Sequence, residues 1–375
     1  MTYGAQRPHD CRNGRESVRV APVGFTDHIF EKLIVRMVND SLQVRRAPKP
    51  TRWSPLEERR SSTLPYERFL ADYVAKNRPL VIRGAVDAWP ALQKWTPTFF
   101  KENYGSKMVL VSYSEQLSFS DFIDGVLKST EEAPGPYMYR LFLHEHLPEV
   151  LPDLIPQNRY AFPRRYSSPL MPTYWRRPDG YLKLLIGGVG GRFPVMHFDT
   201  EHVHATVTEI YGDKEFLMYA PQDGHYLYPS PKAPNHSMIK DPQYEDPEQF
   251  PLMTKASQFR TVLKPGDMVF VPCGWWHTAR ALSPSISVGT NMLDVSNWKG
   301  FVAEVCNGGK SAPKRVLKKA YFSGLGAVLW GLERLQEAQP GLAASLRFPR
   351  RLAPLSSAVA KDPSLSPLRI RIPTG

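Results

Sequence analysis

The sequence predicts a mainly β domain, a sandwich or small barrel of short strands, with helices at its flanks. Three observations carry that expectation. Between residues 181 and 291, short apolar runs are separated again and again by Gly, Pro and Asp, a rhythm that leaves no room for long helices. Helical spacing occurs only outside this stretch. The chain has 375 residues, 42% of them hydrophobic, enough to bury a sizeable core in one large domain or two ordinary ones.

The elements follow in order. Residues 1 to 64 are rich in arginine and turns, with one short apolar stretch, 30 to 38, of helical character. Pro65 suits a first helical turn, and Phe69, Leu70, Tyr73 and Val74 then recur at helical spacing until Pro79 ends the helix. Residues 80 to 84 have the pattern of a buried strand, 98 to 104 of a second helix and 108 to 112 of another strand. Residues 145 to 180 are rich in proline, with Arg164, Arg165, Arg176 and Arg177 set among Tyr160, Tyr166, Tyr174 and Trp175. A loop of that length is commonly a lid or a binding surface, and its arginines would suit an acidic partner. Strands are expected at 181–186, 195–199, 205–210, 215–219, 260–263, 268–271 and 285–291. Past Cys306 the period becomes helical, with Tyr321, Leu325, Val328, Leu329, Leu332 and Leu335 on one stripe that packs on the barrel or, alternatively, pairs two copies into a homodimer. The expected organisation is a basic, partly disordered segment at 1–64, a chemistry-bearing domain at 65–305, a helical segment at 306–344 and a disordered, proline-rich basic tail at 345–375.

Net charge is +12, but its distribution matters more than its size. The two ends, 1–65 and 306–375, together carry +14, and the residues between them carry −2. Such ends suit solvated or docking tails, or an electrostatic footprint for nucleic acid. Cys11, Cys273 and Cys306 have no paired spacing, which argues against a disulfide framework or a structural zinc site and for a reducing compartment. No apolar run is long enough to span a bilayer, so a cytoplasmic protein without a membrane partner is expected.

The chemistry concentrates in Phe193-Pro194-Val195-Met196-His197-Phe198-Asp199. In extended chain, residues i and i+2 share a face, so His197 and Asp199 present an imidazole and a carboxylate side by side. A second imidazole, His277, arrives after the strand and turn that begin at Gly266-Asp267. Two histidines and one carboxylate form a facial triad, which leaves positions open on Fe(II).

Three blocks, "LLIGGVGGRFPVMHFD", "YGDKEFLMYAPQD" and "PGDMVFVPCGWWHTARALSPSISVGTNM", resemble the JmjC or cupin-like family of Fe(II) and 2-oxoglutarate dependent oxygenases, in the order and spacing of its asparaginyl-hydroxylase branch. With "PLVIRGAVDAWPALQKW" the resemblance covers residues 79 to 300. It implies a double-stranded β-helix, or jelly roll, with iron held by His197, Asp199 and His277. It also implies that Lys214 pairs with the far carboxylate of 2-oxoglutarate, assisted by Tyr139, with Tyr137 competing for that place, and that Asn291 lies near the cosubstrate. The chain departs from the family at Pro194, where a threonine is usual, and at Val203 or His204, where an asparagine is usual; Thr206, Thr208 or Ser287 would replace those donors.

The implied function is hydroxylation of a protein or peptide side chain, with demethylation open to the same iron centre. Hydroxylation of an RNA base is the runner-up. Two other readings stay open: a germin-type site built from His202, His204, Glu209 and His277, and a cupin-like module without catalysis.

Overall fold

The computed structural model describes residues 53–338 except 112–115, 163, 178–180, 243–247 and 308–310. The helical stretch expected at 30–38 and the tail at 345–375 lie outside the described residues.

Two sheets form the jelly roll. The larger has seven strands in the order β2 (Glu58–Arg60), β3 (Leu80–Arg83), β11 (Met268–Val271), β8 (His204–Tyr211), β13 (Ser285–Met292), β7 (Lys183–Gly187) and β6 (Tyr137–Phe142). The smaller runs β1 (Trp53–Pro55), β10 (Gln258–Leu263), β9 (Lys214–Tyr219) and β12 (Trp276–Ala281). A separate hairpin joins β4 (Met108–Leu110) to β5 (Gln116–Ser118). The sheets begin upstream of residue 65, since β1 and β2 add parallel edge strands to one sheet each.

Strand alternation decides what faces what. Ala205, Val207, Phe216, Met218, Val269 and Val271 fill the space between the sheets. The other face of the large sheet, with Leu184, Ile186, Ile210, Ile286 and Val288, packs on α1 (Pro97–Tyr104) and α2 (Phe119–Leu127). Both helices start on a side-chain cap: Thr96 accepts from the Phe99 amide and Ser118 from the Asp121 amide. The helix expected after Pro65 is present as Tyr66–Phe69 and a wider turn, Leu70–Val74, which buries Phe69, Tyr73 and Val74.

Three expectations need correction. The 195–199 segment is not a strand: His197 makes only single bridges, to His236 and His277. The 145–180 region turns through short 3-10 segments, and Arg164 and Arg165 fold inward. Arg165 is buried, makes a two-pronged contact of 2.9 and 3.1 Å with Glu333 and covers the Trp298 ring, while Arg164 lies over Tyr66. Neither is presented to an acidic partner. The C-terminal helix, Ala312–Ala338, packs against Trp298–Asn307 through Phe322 and Leu329, whereas Tyr321 and Val328, expected on the core stripe, are about half exposed.

Candidate metal centre

His197, Asp199 and His277 come together as their spacing implies. Their ligand atoms all lie within 4.8 Å of one another, the one such group among the described residues. His197 and His277 exchange backbone hydrogen bonds of 3.0 and 2.7 Å, which fixes one imidazole beside the other with ring centres 4.5 Å apart. Asp199 Oδ2 is 4.0 Å from His277 Nε2.

The tautomers follow from the backbone. His197 Nδ1 is 3.0 Å from the Val195 carbonyl and His277 Nδ1 is 3.1 Å from the Trp275 carbonyl. Carbonyls only accept, so each Nδ1 carries the proton and each Nε2 offers its lone pair. Burial, then the neighbouring His277, pushes His197 down to about 3, so it stays neutral, as a ligand must be. All three side chains keep partial access to solvent, which leaves an approach for substrate. The donor set therefore fits a mononuclear iron, and among the described residues no cysteine joins the group to favour structural zinc.

The other expected residues divide between two places. Asn291 faces the same inter-sheet space, and its Oδ1 accepts from Lys183 Nζ at 3.4 Å. Tyr139 meets Phe193 in a tilted ring contact at 4.6 Å, and Phe193 in turn stacks on His197 at 4.3 Å, so Tyr139 braces the first candidate ligand. Tyr137 is the tyrosine beside Lys214, whose Nζ lies 5.4 Å from its ring centre. The reason is a register shift between β6 and β7, from Met138 to Leu141, which breaks the alternation.

Lys214 itself is fully buried at the start of β9. Gly212, at φ +75°, makes the tight turn into it, and a Cβ there would strike the Pro284 carbonyl. Its ammonium contacts Ser287 Oγ and lies 3.7 Å from Glu209 Oε2. Of the substitute donors, Ser287 is therefore at the site. Thr206 and Thr208 pair with Thr290 and Val288 on the opposite face of the large sheet, away from it.

Lys183 is the residue sequence reasoning missed. It shares the inter-sheet face with Leu185 and feels the charges of Asp199 and Glu201, while burial lowers its pKa. The signal was a lone lysine in phase with the inward positions of an otherwise apolar strand. The germin-type set is not assembled. His204 has one ring nitrogen on Ser296 and the other on the Cys273 amide, Glu209 serves Lys214 and Ser287, and His202 packs on Gly300.

Two imidazoles and a carboxylate on the inner wall of a jelly roll define a mononuclear metal-binding protein of the cupin type. A family model described as a cupin-like domain matches residues 66–292, more than half of the chain, and the chain belongs to that family. The resemblance read from the sequence blocks is thus borne out at family level. One curated relative is lysine-specific demethylase 8 of Danio rerio, 27% identical over 236 residues that make up 59% of this chain and 55% of that protein. Another is tRNA wybutosine-synthesizing protein 5 of Gallus gallus, 26% identical over 252 residues, 64% of this chain and 76% of the relative. The bifunctional peptidase and (3S)-lysyl hydroxylase JMJD7 of Homo sapiens is 24% identical over 262 residues, 59% of this chain and 78% of its own. The chain spans about half the length of other curated relatives that it matches, as it does of lysine-specific demethylase 8.

Proposed function

We propose that this protein is an Fe(II) and 2-oxoglutarate dependent dioxygenase that hydroxylates a side chain of a protein or peptide, and that residues 65–305 carry the activity. The observation behind it is the triad: two neutral imidazoles with Nε2 free and one carboxylate, on a fold whose relatives bear demethylase and hydroxylase names. Bound iron would supply oxidative decarboxylation of the cosubstrate to succinate and carbon dioxide, with the second oxygen atom of dioxygen delivered to a substrate C–H bond. The chain's own part is orientation. His197, Asp199 and His277 hold the metal, and Phe193 fixes the His197 ring. Lys214, with Tyr137 and Ser287, receives the distal carboxylate in a dry pocket, while Lys183 and Asn291 border the opening beside Asp199. The test is succinate formation from 2-oxoglutarate by the purified protein. His197→Ala and Asp199→Ala should reduce it to background, and undiminished turnover in either would refute the assignment.

The basic ends favour one second reading, an RNA-base substrate, because one relative is named for tRNA wybutosine synthesis. RNA binding would weaken steeply with added salt and disappear on trimming residues 1–52 and 339–375, which spares the described strands and helices, whereas peptide hydroxylation would survive both. Among the described residues no helix is long and apolar enough to cross a membrane. Cys273 and Cys306 are free thiols, in keeping with a cytoplasmic site of action. For the oligomeric state we favour a homodimer through the C-terminal helix. Its outer face carries Leu317, Tyr321, Gly324, Val328 and Gly331 at the three-four spacing of a helix seam, and nothing lies within 4 Å of a Cβ built at either glycine.

A further inference from the structure

We propose that Glu209 belongs to the cosubstrate pocket and that a C5 dicarboxylate binds at Lys214 by taking up one proton on Glu209. This rests on the oxygenase reading and deepens it. Lys214 does not wait with its charge free. Ser287 Oγ contacts the ammonium and donates to Glu209 Oε2 at 2.9 Å, and Lys214 Nζ lies 3.7 Å from the same oxygen, with Lys214, Glu209 and Ser287 all at 0% exposure. The other oxygen, Glu209 Oε1, is buried without a hydrogen-bond partner among the described residues.

One ammonium and one carboxylate make this cluster neutral. A cosubstrate carboxylate arriving at Lys214 would turn it into two anions and one cation, out of reach of water. Two carboxylates in one buried site hold a proton between them in preference to two charges, and the bare Oε1 is where that proton goes. The groups facing Glu209 are Lys214 from β9, Ser287 from β13, Tyr137 from β6 across Lys214, and Asp213 at the β8–β9 turn. Asp213 pushes the same way as burial. Burial already carries the Glu209 carboxyl up to about 7 against the pull of Lys214, so the proton is within reach at neutral pH.

The sign follows. Below about 7, Glu209 already holds its proton and binding is indifferent to pH; above it, each binding event must draw a proton from solution, so affinity falls about tenfold per pH unit. The experiment is calorimetric titration of anaerobic, Fe(II)-loaded full-length protein with 2-oxoglutarate, in buffers of different ionisation enthalpy, at about pH 6 and about pH 8.5. The expected result is uptake of close to one proton at the higher pH and almost none at the lower, with Glu209→Gln losing both the uptake and the pH dependence. An infrared difference spectrum of wild type at the higher pH should gain a protonated-carboxyl band, a readout that does not depend on the variant folding. Tight binding by wild type without uptake or band, or unchanged uptake in Glu209→Gln, would overturn the inference and leave the oxygenase reading standing. No binding of 2-oxoglutarate at either pH would remove both.

Discussion

His197 and His277 each donate an Nδ1 hydrogen bond to a carbonyl two residues earlier in their own segment, and that local arrangement turns Nε2 toward the proposed metal. Metal binding should therefore depend on the side chains alone. Asp199→Ala should weaken Fe(II) binding at least tenfold in equilibrium dialysis, with the fold intact by circular dichroism. The H-x-D pair was legible from sequence because two residues of extended chain share a face even where no strand forms, as here. The partner of Lys214 was not. Choosing Tyr137 over Tyr139 requires the register shift in β6, which leaves no mark in composition or periodicity. Lys183 was hidden for a related reason: a lone charge in a strand suggests solvent until the paired sheets show that its face turns inward, while Glu209 was read only as a germin-type ligand.

At the level of elements, most strands of the large sheet were readable because buried β runs are short, branched and punctuated by turns. The C-terminal helix was readable as a helix and only partly in its phase. Of the expected stripe, Leu325 and Leu329 do face the cluster of Trp298, Phe301 and Val302, but Phe322 joins them in place of Tyr321 and Val328, because aromatic residues occupy both faces and hydrophobicity alone cannot rank them. Gly326 settles the phase, since a Cβ there would collide with the Trp298 indole. Helix propensity favours Gly326→Ala by about 1 kcal/mol, but overpacking costs about 1–3 kcal/mol, so the substitution should lower the melting temperature. A rise in melting temperature would contradict this packing.

For the molecule as a whole, the proposed homodimer rests on the outer face of the same helix. Leu317 and Val328 are 73% and 53% exposed, on the face of the helix turned away from Trp298–Asn307. Leu317→Glu with Val328→Glu should convert a dimer into a monomer in light scattering with little change in melting temperature; a wild-type monomer at tens of micromolar, on the order of an ordinary dimer's working range, would refute the proposed seam. The central claim, that this cupin-like barrel holds iron and 2-oxoglutarate at His197, Asp199, His277 and Lys214, is tested most directly by anaerobic titration with Fe(II) and then 2-oxoglutarate. The visible charge-transfer band of the chelate should appear in wild type, vanish in Asp199→Ala and require more cosubstrate in Lys214→Ala. Iron binding without the band, or a band indifferent to both substitutions, would contradict the account.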